Sequence, residues 1–369
     1  MSDVATRPPL RLLFVASELE PTWRGGVGRV VAGSARALAE RGHSVHIAGR
    51  APSGVPGEIP GVQLHPWPAL RWKLAQLPFL LSLARRLRPD VVHFHSAVPH
   101  GAVIVPFLWW RRAHQRPLVF VTPYTGARSD YRKRRARRAL RCADGVATNS
   151  QWGAERVLAA GASPERIFVV PAGVDVAPPC DPARRRPLVV AMSRLVRSKG
   201  IDLLLEAFAR VAERHPAWRL IIAGTGREAA VLKQRASQLA CAQRIEFPGV
   251  VAGEAKRCLL AEASLAVVPS RHDNSPGSLL EFQAHGIPCL AFAVGGIPEL
   301  AADGKAARLV PAEDVPALAQ ALEELLSRPG LRASLAEGAL QVTTERAWSR
   351  IAERWEDLYR DRLSLGRTF

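Results

Sequence analysis

Two carboxylates, two cations and several glycine turns in this 369-residue chain have the types and spacing to hold a polar, anionic small molecule. Asp273 and Glu281 stand eight positions apart in SRHDNSPGSLLEFQAHGIP, residues 270–288, around a turn-rich Asn-Ser-Pro-Gly segment. The run SLAVVPS before them reads as a buried strand, and LLEFQAHG reads as one or two helical turns ending at Gly286. Asp273 therefore falls at a strand's carboxyl end and Glu281 in the next helix. Such a pair can serve as general acid and base, or can grip one ligand at two points. Arg194 and Lys199, five apart in SRLVRSKG after the strand PLVVAMS, can converge on one site. They suit a diphosphate, the arginine through its planar fork and the lysine as a point charge; two idle surface cations are the plainer reading.

Glycine turns supply the remaining donors. In Trp23-Arg24-Gly25-Gly26-Val27-Gly28 the glycines let backbone N–H groups approach a phosphate at a helix N-terminus, or simply make a tight turn. Gly295 and Gly296 in AVGGIPEL precede a short helix whose N–H groups could hold another phosphate oxygen. AGTGREA, residues 223–229, partly matches a dinucleotide fingerprint, with Glu246 at about the distance of the ribose-binding acid. That loop follows the second strand of its half, while the first strand leads into Arg194 and Lys199, which argues against hydride chemistry. His93 and His95 alternate in VVHFHS and share one strand face. A metal reading needs a third ligand, for which His100 is the local candidate; a polar lining role and a satisfied structural role are the alternatives.

These residues need a scaffold of strand ends. RLLFVAS (11–17) is a buried strand, then come a glycine loop, the helical stretch VVAGSARALAERGH and a second strand, SVHIAG. The cycle continues through FLLSLARRLRP, DVVHFH, LVFVTPY and GVATNS. Uninterrupted apolar strands alternating with helices predict parallel sheets covered on both faces. Proline-rich AGVDVAPPCDPARRRP breaks the pattern, and a second cycle runs from PLVVAMS to SLAVVPS. The tail WSRIAERWEDLYRDRL is amphipathic, with Trp348, Ile351, Trp355 and Leu358 at spacings of three and four. The expected domains are 1–176, joined by the helix 346–369, and 187–345, with 177–186 as linker; no solenoid repeat appears.

Charge is uneven. The chain carries +18, and residues 1–180 hold 25 basic and 11 acidic side chains against 26 and 22 in the rest. The block YRKRRARRALR, 131–141, has seven cations, which attract an anionic membrane or phosphates, or form a solvated helix face. Trp109-Trp110-Arg111-Arg112 and the stretch with Trp67 and Trp72 fit either an interfacial belt or a core edge. Nucleic-acid binding is disfavoured, because the cationic block lacks interleaved aromatics and no binding module is recognisable. Five scattered cysteines fit neither a disulfide framework nor a zinc site. With no signal pattern and no run of about 18 apolar residues, the expected location is cytoplasmic, with peripheral contact at the inner membrane face.

In this order the motifs resemble the GT4 family of retaining glycosyltransferases, over nearly the whole chain. The likeness rests on Asp273 to Glu281 (an acid-x7-Glu element), Gly295-Gly296-Ile297-Pro298-Glu299, Arg194 with Lys199, and the late amphipathic helix. It implies an α/β GT-B fold, two Rossmann-like domains facing across a cleft with the last helix crossing back to the first. It implies that Arg194 and Lys199 neutralise a donor's diphosphate, with Gly25 and Gly26 approaching it from the first domain. Glu281 would accept the ribose hydroxyls and Asp273 those of the sugar. Asn274, Ser275, Pro276, Gly277 and Ser278 would offer backbone groups, Gly249 and Val250 would read the base, and Gly295 and Gly296 would complete the cradle. His95 and Tyr124 would lie near the reacting carbon.

Two departures stand out. The family's first acid is usually glutamate, one methylene longer than Asp273, and Tyr124 stands where many members carry histidine. A tyrosine, with a reference pKa of about 10, donates a hydrogen bond but is a poor base near neutral pH. The resemblance implies a metal-independent, retaining hexosyltransferase with no cofactor. Its co-substrate would be a UDP- or GDP-linked sugar, and its acceptor a lipid-linked or anionic glycan or a small molecule. An epimerase or phosphorylase on the same fold, or an inactive sugar-nucleotide binder, remains the alternative.

Overall fold

The computed structural model describes residues 7–19, 26–51, 58–67, 73–112, 117–123, 134–176, 184–302 and 304–365. Gly25 and Tyr124 lie outside the described residues. The chain forms two units, residues 1–173 with 348–369, and residues 174–347.

In the first unit the elements are β1 (Arg11–Glu18), α1 (Gly26–Glu40), β2 (Ser44–Arg50), β3 (Val62–Trp67), α2 (Lys73–Leu87), β4 (Val91–His95), α3 (Ala97–Arg112), β5 (Leu118–Thr122), α4 (Arg134–Cys142), β6 (Gly145–Thr148), α5 (Gln151–Ala159) and β7 (Ile167–Val169). They build a seven-stranded parallel sheet in the order β3-β2-β1-β4-β5-β6-β7. The second unit has β8 (Arg186–Met192), α6 (Ile201–Ala212), β9 (Arg219–Ala223), α7 (Ala229–Ser237), β10 (Ile245–Gly249), α8 (Gly253–Glu262), β11 (Ala263–Val268), α9 (Gly277–Ala284), β12 (Cys289–Phe292), α10 (Ile297–Leu300), β13 (Arg308–Val310), α11 (Val315–Ser327) and α12 (Pro329–Thr344). Its six-stranded parallel sheet runs β10-β9-β8-β11-β12-β13.

Central strands β4, β6 and β12 are buried along their whole length, as continuous apolar runs require when helices cover both faces. The edge strand β3 (VQLHPW) is half-exposed and carries a proline; it has no apolar run, and sequence patterning does not reveal it. Trp67 at its end is core, 5% exposed, so it forms no interfacial belt. In each sheet the strand order reverses once, between β1 and β4 and between β8 and β11. Crevices for ligands open at such reversals, outside the carboxyl ends of the strands.

The closing helix α13 (Trp348–Leu365) belongs to the first unit and packs on α1. Its buried stripe is Trp348, Ile351, Trp355 and Tyr359; the sequence reading ended the stripe at Leu358, which is only half-buried. A Cβ added at Gly33 of α1 would lie 2.3 Å from the Trp348 ring, so a glycine in mid-helix gives the indole its slot. The other anchor is electrostatic. Arg41 Nε donates to Glu356 Oε2 at 2.9 Å and Arg360 Nε to Oε1 at 2.8 Å. His43 Nε2 faces the same carboxylate at 3.3 Å, its Nδ1 already accepting the Leu10 N–H. Burial alone would raise the Glu356 pKa; the arginine hydrogen bonds outweigh it and bring it down to about 2.

Because that pKa lies below the usual carboxylate value, the stabilisation is complete above about pH 4.5 and disappears as pH falls toward 2. Glu356→Gln is expected to cost about 2–3 kcal/mol at neutral pH and to flatten the acid limb of the stability curve. Urea titrations of both proteins at several pH values check this, and parallel acid limbs would contradict it. Trp348→Ala is expected to cost about 3–5 kcal/mol through the cavity it leaves.

Candidate active site

The reversal in the second sheet brings the acid pair and the cations together. β8 ends at Met192 and leads through Ser193 and Arg194 into a single 3₁₀ turn, Arg197–Lys199, before α6. The neighbouring β11 ends at Val268 and leads through Asp273 into α9, which carries Glu281. The ammonium of Lys199 donates to Asp273 Oδ2, and Ser270 Oγ lies 3.3 Å from the same oxygen. Both partners are largely buried, 17% and 13% exposed. Lys256 of α8 pairs in the same way with Glu281. Each acid of the motif therefore has a lysine against it. Arg194 is exposed, with no ion pair to any described residue.

A residue that sequence reading overlooked fixes this geometry. Arg271 grips Asp202 of α6 with both terminal nitrogens, at 2.7 and 2.8 Å, and donates to the Arg197 carbonyl at 2.9 Å and to Glu313 at 2.7 Å. Its own N–H reaches the Ser198 carbonyl at 2.9 Å. The hydrogen bonds it donates to Asp202 hold its pKa above even the usual guanidinium value. Arg271 thus clamps the loop carrying Asp273 onto the turn carrying Lys199. Its type and place are plain in the sequence, but its partner, 69 positions away, is not.

Donor groups gather around the clamp. α9 starts after Pro276, which offers no side-chain cap, so the N–H groups of Gly277 and Ser278 are not capped by it. The Ser275 hydroxyl is buried without a hydrogen-bond partner among the described residues. Met192, Ser193, Lys199, Pro269, Ser270 and Ser278 line a small recess between the two strand ends. Asn274 stands in the same loop.

The glycine turns divide into two kinds. Gly295, at φ 58°, has no room for a Cβ, which would sit 1.7 Å from the Asp273 carbonyl oxygen. The Gly296 N–H donates to that oxygen at 3.3 Å, and α10 behind it is only four residues long. This glycine turn braces Asp273 from below. Gly224 and Gly226 of AGTGREA are also braces, packed on the carbonyls of Ser193 and Leu195, which accounts for the partial dinucleotide fingerprint. Glu246, the acid that fingerprint wanted, is paired with Arg219 on the sheet edge. By contrast, a Cβ at Gly249 or Gly26 would meet nothing within 4 Å. Val250 beside Gly249 is half-exposed, and Gly26 opens α1 in the first unit.

The histidines lie on the first sheet. His93 is fully buried with Nδ1 2.7 Å from the Tyr359 hydroxyl and Nε2 2.7 Å from Thr122 Oγ1. Burial, then the neighbouring His95, pushes its pKa well below the ordinary value. His93 is a structural link between β4, β5 and α13. His95 stacks on it at 4.2 Å and is 1% exposed. No group of three potential metal ligands occurs among the described residues.

The sequence model of Glycosyltransferase Family 4 matches residues 24–178, and that of Glycosyl transferases group 1 matches residues 186–328, so together they span most of the chain. The chain belongs to the family 4 glycosyltransferases. A D-inositol 3-phosphate glycosyltransferase of Acidothermus cellulolyticus is 33% identical over 248 residues, 61% of this chain and 55% of the relative. A GDP-mannose-dependent phosphatidylinositol monomannoside mannosyltransferase of Mycolicibacterium smegmatis is 32% identical over 223 residues, 54% of this chain and 58% of the relative. This family 4 chain spans about half the length of the D-inositol 3-phosphate glycosyltransferases it matches. Sucrose-phosphate synthase from Thermosynechococcus elongatus superimposes with a TM-score of 0.81 at 20% identity, covering 96% of this chain and all of that one. Anabaena HepE in complex with UDP-glucose gives 0.79 at 18%, covering 95% and 100%. The fold is GT-B.

Arg271→Ala is expected to destabilise the second unit by about 3–5 kcal/mol, because it strands a partly buried Asp202. Arg271→Lys should recover little, since an ammonium cannot bridge both carboxylate oxygens. Equal melting temperatures for the arginine and lysine forms would remove the clamp.

Proposed function

We propose that this chain moves a hexosyl unit from a nucleotide-diphosphate sugar to an acceptor hydroxyl, with retention of configuration and without a metal. The observation that carries the reading is the Lys199–Asp273 pair beside the start of α9 and the exposed Arg194. In the donor complex the diphosphate replaces Asp273 as the partner of Lys199, and Arg194 and the N–H groups of Gly277 and Ser278 take the other phosphate oxygens. The released Asp273 carboxylate accepts hydrogen bonds from the sugar. Glu281 does the same for the ribose hydroxyls, and Gly249 with Val250 reads the base. Asn274, Ser275 and Gly295-Gly296 support the loop that makes these contacts.

The acceptor oxygen then bonds to the anomeric carbon as the carbon–oxygen bond to the diphosphate breaks. The acceptor's proton passes to a leaving phosphate oxygen on the same face. Charge develops on the leaving group, so the fixed cations carry most of the catalysis and supply the positive charge a metal otherwise provides. Tyr124, with a reference pKa of about 10, is not a base in this scheme, and His95, 1% exposed, is held in the core of the first unit. The residues 187–345 serve the donor, and 1–176 with 346–369 serve the acceptor.

Relatives support both substrates without fixing them. One structural neighbour is described with UDP-glucose, and one sequence relative is named for GDP-mannose. Two relatives are named for D-inositol 3-phosphate and for a phosphatidylinositol monomannoside. An anionic acceptor, lipid-linked or small, also suits the excess positive charge of residues 1–180.

Arg194→Ala or Lys199→Ala is expected to lower kcat about 10²–10³-fold, the scale of losing one charge-stabilising donor, and Tyr124→Phe far less. Near-parental turnover in both cation variants would sink the scheme. Melting-temperature shifts with UDP, GDP, ADP and their sugars should single out one base, because a ligand of the native state stabilises it by mass action. NMR of the product then reports the anomeric configuration. An epimerised sugar with no glycosylated product indicates an epimerase instead, and phosphate-dependent release of a sugar 1-phosphate from a glycan indicates a phosphorylase.

A further inference from the structure

The cationic block left over by the donor chemistry is a shaped surface. On α4, Ala136, Ala139 and Leu140 are buried, the last two in the first unit's core. Arg134, Arg137, Arg138 and Arg141, at positions i, i+3, i+4 and i+7, are exposed and line one open groove. Among the described residues no carboxylate pairs with Arg134, Arg135, Arg138 or Arg141. Some arginines of the same unit do have acid partners, as Arg111 has Asp144 at 2.7 Å and Arg41 has Glu356 at 2.8 Å. A solvated helix face normally interleaves both signs; this one does not.

An aromatic stands beside the stripe. Trp109, near the end of the neighbouring helix α3, is 59% exposed, the one exposed tryptophan among the described residues. The Arg138 guanidinium lies 5.2 Å from its ring centroid. That contact puts the indole and the guanidinium stripe on one surface. A stripe from i to i+7 runs for about 10 Å at about 1.5 Å per residue, wider than a single phosphate. An exposed indole contributes nothing to holding a free phosphate, but prefers the boundary between lipid headgroups and acyl chains.

We propose that the Arg134–Arg141 face of α4 and Trp109 dock this chain on a bilayer rich in anionic phospholipid. The arginines meet the headgroups and the indole enters the interface. This goes beyond the donor reading and does not rest on it.

Co-sedimentation with vesicles of equal parts phosphatidylglycerol and phosphatidylcholine, against phosphatidylcholine alone, tests the proposal. The chain should pellet with the anionic vesicles only, and less so as salt rises. Each arginine removed should weaken binding about fivefold, so Arg134→Gln/Arg138→Gln/Arg141→Gln together should weaken it about a hundredfold. Trp109→Ala should weaken binding while keeping its salt dependence. Both variants change exposed side chains and should keep the parental melting temperature and nucleotide-induced shift, which separates this result from the donor assignment. Equal pelleting with neutral vesicles overturns the proposal. So does a triple variant that pellets like its parent, or retention on duplex DNA without retention on anionic vesicles.

Discussion

One guanidinium organises the second unit's working edge. Two adjacent parallel strands, β8 and β11, end side by side, but their following loops would be free to part. Arg271 prevents this by closing a planar fork on Asp202 and tying in the Arg197 and Ser198 carbonyls. With the loops so joined, Lys199 and Asp273 meet, and the start of α9 stands beside them. The glycines then act from below: where Gly295 approaches the Asp273 carbonyl, any side chain would push the loop away. Charge at the rim and steric tightness beneath it are two parts of one constraint.

The first unit answers the same topology with different chemistry. Its strand reversal, between β1 and β4, holds stacked buried histidines instead of cations, and His93 spends both ring nitrogens on Thr122 and Tyr359. Positive charge there is displaced to the outside, onto α4. One unit concentrates cations at its strand ends, while the other carries them on a helix face. That division matches a small anion held in one place and an extended anionic partner in another.

Much of this was legible in the sequence because it is local. Uninterrupted apolar strands, helical periods and the eight-residue spacing of Asp273 and Glu281 all lie within short windows, and they located both sheets and the acid pair. The Trp348, Ile351 and Trp355 stripe likewise announced a buried helix face. What escaped was non-local. Lys199 meets Asp273 across 74 positions and Arg271 meets Asp202 across 69, and nothing in either segment names its partner. What the glycines of AGTGREA and Gly295-Gly296 pack against was equally hidden, because those carbonyls lie in other segments. The half-exposed β3, with its proline, had no period to read.

Residue order gives the closing helix a further meaning. Gly33 prepares a slot for Trp348, but the whole of the second unit is translated between them. At ordinary synthesis rates the first unit waits on the order of ten seconds for its last element, with the apolar flank of α1 uncovered. In chain order the second unit is thus inserted between the two parts of the first. The excess positive charge of residues 1–180 sets like chains against one another by mutual repulsion during that interval.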